Sequence, residues 1–578
     1  MDITYVQELG KGAFGSVWKV RDNNNGGKEI AIKKMKYSSN NLINPTDLKE
    51  IAYTHNLNHP NVVSTSYIIQ NDGKHISSFI DREDKTINTS IELMDGSLEY
   101  LLRGMVSGTI DSDLLTEETM KSIAQQMVAG LYYMNSCGYS HNDIKPANVL
   151  YKVLPDNKLL IKLADFGLSE YLGIPLPKMA VGSGGTALFK APNSISDLIY
   201  EEGNRYSYKS DMFSVGATLL WIFTMIVQIP FVQFLKNGFG YIDIAGPEFA
   251  DIRSDLITAF TRDGYDLIIR CLDPNSLTRI SSKQALQHAY IRNTFGGAVV
   301  NMFTSYINSI TRTPSVEEYL GGVYELEYLE DMYNSYKDSR ITTYVDLSSH
   351  TNVKNQHLEL IHNWTISTIK TLNVDNMDAF FTYIQYFLQF LSKKPELPLN
   401  KLQLIGGSSL VTSDNIWANV LSYITLDKIV ETMRGLFKNE QVVESQLELL
   451  DTLDFNLSFV PVTFFLHYWY LKSMYTSSNP EPNIAVLTTS IALMSLLMTK
   501  NDDYRMTELS VDNMAKYCVE KAIHIHGYTD KANIGLLVVP SSLSGILDEL
   551  VTVIFDSGAA KRASIDELKE IVLNGETE

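Results

Sequence analysis

His141-Asn142-Asp143-Ile144-Lys145-Pro146-Ala147-Asn148 and, further along, Asp165-Phe166-Gly167 are the stretches on which the reading of this chain turns. Neither decides a fold alone. Their weight comes from standing, in this order, behind Gly10-Lys11-Gly12-Ala13-Phe14-Gly15-Ser16-Val17, which alternating apolar residues flank as in a glycine-rich hairpin. Glycines at such spacing let backbone amides approach phosphate groups without obstruction by side chains. A dinucleotide-binding turn has similar glycines but continues into a helix with an acidic residue beyond it. Here the next element reads as a strand, Glu29-Ile30-Ala31-Ile32-Lys33, closing on a lysine.

Taken together the stretches resemble the motifs of a protein kinase, which implies a bilobal α+β kinase fold over residues 1–292. The resemblance implies that Gly10, Lys11, Gly12, Ala13, Phe14, Gly15 and Val17 bind ATP together with Ala31, Glu92 and Met94. Lys33 would pair with the α- and β-phosphates and with Glu50 on the next helix. Asp143 would accept the proton of the substrate hydroxyl, while Asn148 and Asp165 would hold Mg2+. Lys145 is the residue expected of a Ser/Thr kinase and would touch the γ-phosphate. Gly185 to Asn193 resembles the end of an activation segment, with Thr186 in the catalytic set. Asn193 stands where a glutamate usually pairs with Arg279, and a hydrogen bond between them is the expected substitute. With Lys33, Glu50, Asp143, Asn148 and Asp165 all present, an active enzyme is expected.

Asn44 to Ile51 (N-P-T-D-L-K-E-I) resembles the PSTAIRE helix of cyclin-dependent kinases, with Leu48 as its apolar anchor. Such a helix needs a cyclin to push it inward. From about residue 300 apolar residues recur at helical spacings of three and four. Within this half Leu358 to Trp364, Phe380 to Ser392, Lys401 to Gly406, and Gln446 to Leu457 with Pro461 to Leu466 resemble successive stretches of a cyclin box. The chain thus resembles a cyclin-dependent kinase fused to its own cyclin. The implied architecture is a linker over 293–315 and an all-α cyclin-like domain of two five-helix repeats. Its N-terminal helix and first box would lie in 316–470 and a divergent second repeat in 471–578. A tether of modest length gives an effective concentration of order mM where its geometry permits docking. Two other readings stay open: a kinase of another group whose helical half is a scaffold, and an adaptor that binds ATP without phosphoryl transfer.

Departures from the family pattern shape further expectations. Cyclins grip the PSTAIRE helix with a lysine and a glutamate; counting from the flanking motifs puts Asn415 and Gln446 there, so both charges are lost together. His357 to Ile361 replaces the cyclin patch that docks substrate peptides. Three arginines receive the activation-loop phosphothreonine in the family; here the positions hold Lys49, Asn142 and Glu170, and Val181 stands at the phosphoacceptor. A lysine, an amide and a carboxylate cannot make a bidentate pocket for a dianion, so independence from loop phosphorylation is expected, with Ser183 the nearest hydroxyl. Ala13 and Phe14 replace a Thr-Tyr pair and leave no hydroxyl for inhibitory phosphorylation. Gly185 can adopt the positive φ that suits a proline after the phosphoacceptor, and Lys190 replaces the arginine that usually supports it.

The bulk numbers agree with this class. A length of 578 residues calls for two or more domains. A formal charge of −19 argues against a nucleic-acid surface as the main function. Cys137, Cys271 and Cys518 are too few and scattered for a disulfide framework, which fits an intracellular setting, cytoplasm or nucleus. The start shows no secretory signal. Phe213 to Leu235 is apolar enough to raise a membrane question, but Pro230 and Gln233 interrupt it, and a buried core helix is expected. Protein substrates and the fused cyclin-like domain are the expected partners, with neither nucleic acid nor membrane among them.

Overall fold

The glycine-rich stretch opens an antiparallel sheet. In the computed structural model, strands β1 (Ile3–Gly12), β2 (Gly15–Asp22), β3 (Lys28–Lys36), β4 (Ser78–Asp81) and β5 (Thr86–Ile91) lie in the order β1-β2-β3-β5-β4. The structure describes residues 1–12, 15–111, 114–172, 187–192, 208–235, 240–292, 328–372, 374, 377–417, 424–475, 484–499 and 509–526. The register sets Val17 opposite Lys33 and Ala31 opposite Ile91, which brings those four residues to adjoining positions on the sheet. Gly15 is obligatory: at φ 141° a Cβ there would lie 2.1 Å from the Lys34 carbonyl oxygen.

Helix α1 (Pro45–Asn56) follows β3. Its start is fixed by Pro45 in the first turn and by Asn44, whose Oδ1 accepts from the Thr46 amide at 3.0 Å. Asp47 through Thr54 are buried without interruption. A helix packed on one side only leaves its far face in water, so α1 is covered from two sides. On one side it meets the turn Asp165–Gly167 so closely that a Cβ on Gly167 would stand 2.5 Å from Thr46 Cγ2. The second lobe is built on α2 (Leu98–Val106), α3 (Glu117–Ser136), α4 (Tyr208–Val227) and α5 (Arg253–Cys271). Two short ladders cross it: β6 (Tyr139–Ser140) with β9 (Glu170–Tyr171), and β7 (Val149–Val153) with β8 (Leu159–Leu163).

The apolar run flagged in the sequence is α4 and the short turn after it. Among the described helices α4 alone is long and apolar enough to cross a bilayer, yet Tyr208 and Ser210 through Thr224 are buried against neighbouring helices. It is the core helix of this lobe. Arg279, fully buried, donates to the carbonyls of Asp273 (2.7 Å), Lys209 (3.1 Å) and Pro274 (3.2 Å). Its guanidinium also lies over the Phe213 ring. Asn193, the expected partner, lies outside the described residues.

The C-terminal half is helical as expected. Helix α6 (Leu329–Tyr336) packs back on α3. Then come α7 (Asn355–Leu372), α8 (Met377–Lys393), α9 (Leu402–Trp417), α10 (Leu426–Thr432) and α11 (Asn439–Thr452). The stretches singled out in the sequence fall on α7, on α8, at the start of α9, on the second half of α11 and at the start of the next helix, Val462–Tyr475. Helix α9 is the hub, buried along nearly its whole length, with small residues Gly406-Gly407-Ser408-Ser409 at its middle. Helices α12 (Val462–Tyr475), α13 (Ile484–Thr499) and α14 (Val511–Ile525) pack on one another beyond it. Residues 527–578 of the expected second repeat, and the expected linker 293–315, lie outside the described residues.

Candidate active site

The centre of the site lies where β3, α1 and the Asp165 turn converge. Lys33 Nζ, on β3, donates to Glu50 Oε2 on α1 and lies 3.3 Å from Asp165 Oδ1. Burial works against the Lys33 ammonium, but the two carboxylates beside it hold its pKa above the ordinary lysine value. Asp47 lies one helical turn before Glu50 and stayed unread in the sequence. Its carboxyl is pushed up to about 7, first by burial and then by Glu50, with Lys33 opposing.

The catalytic loop is tied down by groups the motif does not contain. Asp211, at the start of α4, accepts from the backbone amides of His141 (2.7 Å) and Asn142 (2.8 Å). Asn142 has φ 65° and Asp165 φ 69°, left-handed values that non-glycine residues seldom adopt. Asparagine is among the residues that tolerate this best, since its amide bonds locally; here Nδ2 donates to the Leu168 carbonyl at 3.1 Å. Within the loop, Lys145 Nζ lies 2.7 Å from Asp143 Oδ2, and Asn148 Nδ2 donates to the same oxygen at 2.9 Å. His141 meets Phe166 edge-on and reaches the Ala164 carbonyl through Nε2 at 3.1 Å, bracing the two motifs together.

The nucleotide-binding candidates divide. Gly10, Lys11, Gly12, Gly15 and Val17 lie on β1 and β2, and Ala31 is buried on β3. Open space surrounds the positions where Gly10 and Gly12 would carry a Cβ. Ala13, Phe14 and Thr186 lie outside the described residues, as do Val181, Ser183 and Gly185. Met94 is buried. The Glu92 carboxylate accepts through Oε1 from the Ser64 amide (2.8 Å) and from Lys162 Nζ (2.7 Å).

This geometry agrees with two family models. One described as "Protein kinase domain" matches residues 3–291. The chain belongs to the protein kinase family. A second, described as "Cyclin, N-terminal domain", matches residues 327–458, so this kinase carries a cyclin domain in the same polypeptide. Its relatives include "Cyclin-dependent kinase F-4" of Oryza sativa, 24% identical over 309 residues, which make up 50% of this chain and 61% of that one. "Serine/threonine-protein kinase sid1" of Schizosaccharomyces pombe is 28% identical over 291 residues, 50% of this chain and 54% of that one. The kinase thus spans under two thirds of either relative. A chain of the CAK complex from Chaetomium thermophilum bound to ATP-γ-S is similar at 20% identity and a TM-score of 0.38, over 51% of this chain and 93% of that one.

The cyclin domain lies on the outer side of α1. Gln446 Oε1, on α11, accepts from the Ile43 amide at 3.1 Å, just ahead of α1, and its Nε2 donates to Thr412 at 3.2 Å. Leu48 is fully buried, and Tyr53 Oη reaches the Ile416 carbonyl at 3.4 Å. Tyr171 meets Trp417 edge-on, and the Phe459 ring stands beside those of Tyr53 and Tyr139. Asn415 departs from expectation. It is buried on α9, and neither its Oδ1 nor its Nδ2 has a hydrogen-bond partner among the described residues. At the rim, Arg82 grips Glu444 through one nitrogen (2.6 and 2.9 Å), and Lys74 pairs with Asp454. These ion pairs are exposed and worth at most about 1 kcal/mol each. In the substrate-docking counterpart, Leu358 and Ile361 are buried and Leu360 is exposed.

Proposed function

We propose that this chain is an active Ser/Thr kinase of the cyclin-dependent type, switched on in cis by its own cyclin domain and without an activation-loop phosphate. One observation carries the reading: α1 is buried on both sides, with Glu50 on Lys33 at one face and the cyclin domain at the other. The donor set suits a hard cation. The Asp165 carboxylate is part-exposed, and Asn148, whose Nδ2 is bonded to Asp143, keeps its Oδ1 as an oxygen donor. Mg2+ held there supplies positive charge against the phosphates of ATP.

The chain's own residues do the rest. Lys33, held by Glu50, orients the α- and β-phosphates. Asp143 orients the substrate hydroxyl and accepts its proton as the oxygen attacks the γ-phosphorus and the bond from that phosphorus to the bridging oxygen breaks, releasing ADP, while Lys145 steadies the charge. Substrates are Ser/Thr sites with a modest preference for proline next. Burial lowers the pKa of Lys190, with Asp143 opposing, and this half-buried cation is a weaker support than arginine for a turned carbonyl.

The test uses full-length protein from bacteria, treated with phosphatase and shown by intact mass to be unphosphorylated. Given Mg-ATP and a Ser/Thr peptide library, it should transfer phosphate, and Asp143→Asn should lower the rate by roughly 10²–10⁴-fold. Equal rates for the two proteins would make the chain an ATP-binding adaptor instead. An inert protein that a loop-activating kinase rescues through Ser183 would end the claim of phosphate independence.

A further inference from the structure

A cleft of about 340 Å³ opens at the junction of the kinase and cyclin domains. The end of α1, the residues after α3, the end of α6, α8 and the stretch after α11 all contribute to it, and none of its lining residues belongs to the nucleotide or catalytic set. Its volume is that of a small-molecule site.

The walls differ in character. Leu57, Tyr139 and Phe459 are buried and give the cleft an apolar, largely aromatic side. Ser335 and Arg340 are exposed and give it a polar rim. The hydroxyls of Ser335 and Tyr336 are already spent, donating to the carbonyls of Asp331 (2.9 Å) and Cys137 (2.8 Å). The Arg340 guanidinium makes no hydrogen bond or ion pair among the described residues, so its donors remain open to a ligand. No aspartate or glutamate lines the cleft among the described residues, although the chain carries 67 acidic residues against 48 lysines and arginines. A cationic rim without a lining carboxylate selects anions, and a guanidinium takes a carboxylate or phosphate through paired donors. An aromatic wall is favourably covered by another ring.

We propose that this cleft binds a small anionic aromatic molecule, with its ring against Tyr139 and Phe459 and its acid group on Arg340. Such a ligand touches both domains at once, Leu57 and Tyr139 of the kinase and Phe459 and Arg340 of the cyclin side. It therefore binds the docked arrangement in preference to an undocked one and stabilises it. The Phe459 ring also lies 6.0 Å from that of Tyr53 on α1 and 6.2 Å from that of Tyr139, two residues ahead of His141. An occupant thus sits beside both α1 and the approach to the catalytic loop.

The inference concerns binding and needs no phosphoryl transfer, so it stands or falls apart from the kinase reading. Full-length protein, with Mg-ADP present to fill the nucleotide site, is titrated calorimetrically with 2-naphthoate, with the uncharged 2-naphthalenemethanol and with inorganic phosphate. Naphthoate should bind with a Kd of about 0.05–1 mM and raise Tm by about 1–3 °C at ten times that concentration. The alcohol and phosphate should each bind about tenfold more weakly or worse. Arg340→Gln changes an exposed side chain, so it should leave the Tm of the free protein unaltered and weaken naphthoate by about tenfold. Ser458→Trp places an indole in the cleft and should abolish binding. Naphthoate binding that either substitution leaves unchanged overturns the proposal. Equal binding of the alcohol or of phosphate, or no binding of naphthoate up to about 5 mM, overturns it as well.

Discussion

The two faces of α1 are held in different ways. On the inner face charges meet, Lys33 with Glu50 and Asp165. On the outer face the contacts are neutral, made by Leu48, the Tyr53 hydroxyl, and Gln446 on a backbone amide. Phosphoryl transfer needs charge at defined points, so the inner face has few chemical alternatives. The outer face has only to keep the helix in place, and covalent attachment to the cyclin domain reduces how tightly each contact must bind. That explains how the lysine and glutamate expected of a cyclin are absent while the docked arrangement is kept.

Placing charge on the outer face should break this division most severely. Leu48→Asp would bury an unpaired carboxylate, at a cost of several kcal/mol, between α1 and α9. Turnover should fall to a few per cent of wild type, whereas titration with a fluorescent ATP analogue should still show binding. Full turnover in this variant would mean that the cyclin domain does not set the position of α1. A smaller effect is expected at Gln446. Alanine there leaves the Ile43 amide and Thr412 without their partner, a loss of roughly 1–3 kcal/mol, read as a lower Tm and a two- to tenfold slower kinase. The smallest change sharpens the comparison from the other direction. Asn415→Leu removes a buried amide that makes no hydrogen bond among the described residues, so thermal melting should show stability equal to or up to about 1 kcal/mol above wild type, with activity unchanged. A large loss on this substitution would show that Asn415 has a partner in the working enzyme.

The same asymmetry governs what could be read before folding. Lys33, Glu50, Asp143, Lys145, Asn148 and Asp165 were all legible, since each stands in a short motif whose chemistry fixes residue type and spacing. The helices of the cyclin domain were legible through apolar spacing, and the fourth of the five, α10, is the one whose sequence offered no signal. Asp47 gave none either, because an acidic residue in the first turn of a helix is ordinary and only burial makes it unusual. The hold of Ser64 and Lys162 on the Glu92 carboxylate gave none either, because those partners are remote in sequence.

By itself, then, the sequence determined the family, the order of kinase and cyclin domains and the residues that converge around Lys33 and Asp143, because reaction chemistry constrains local strings of residues. Tertiary structure alone decided how those strings are held. Gln446 and Ile43 are 403 positions apart, and Asp211 reaches the catalytic loop from another helix. No spacing rule predicts such pairs, since hydrogen bonds between distant segments are chosen by which surfaces the packed core brings together. The strength of an ion pair such as Lys33 with Glu50 was likewise decided by burial, because attraction and desolvation both grow as water is excluded, and only the fold sets how far.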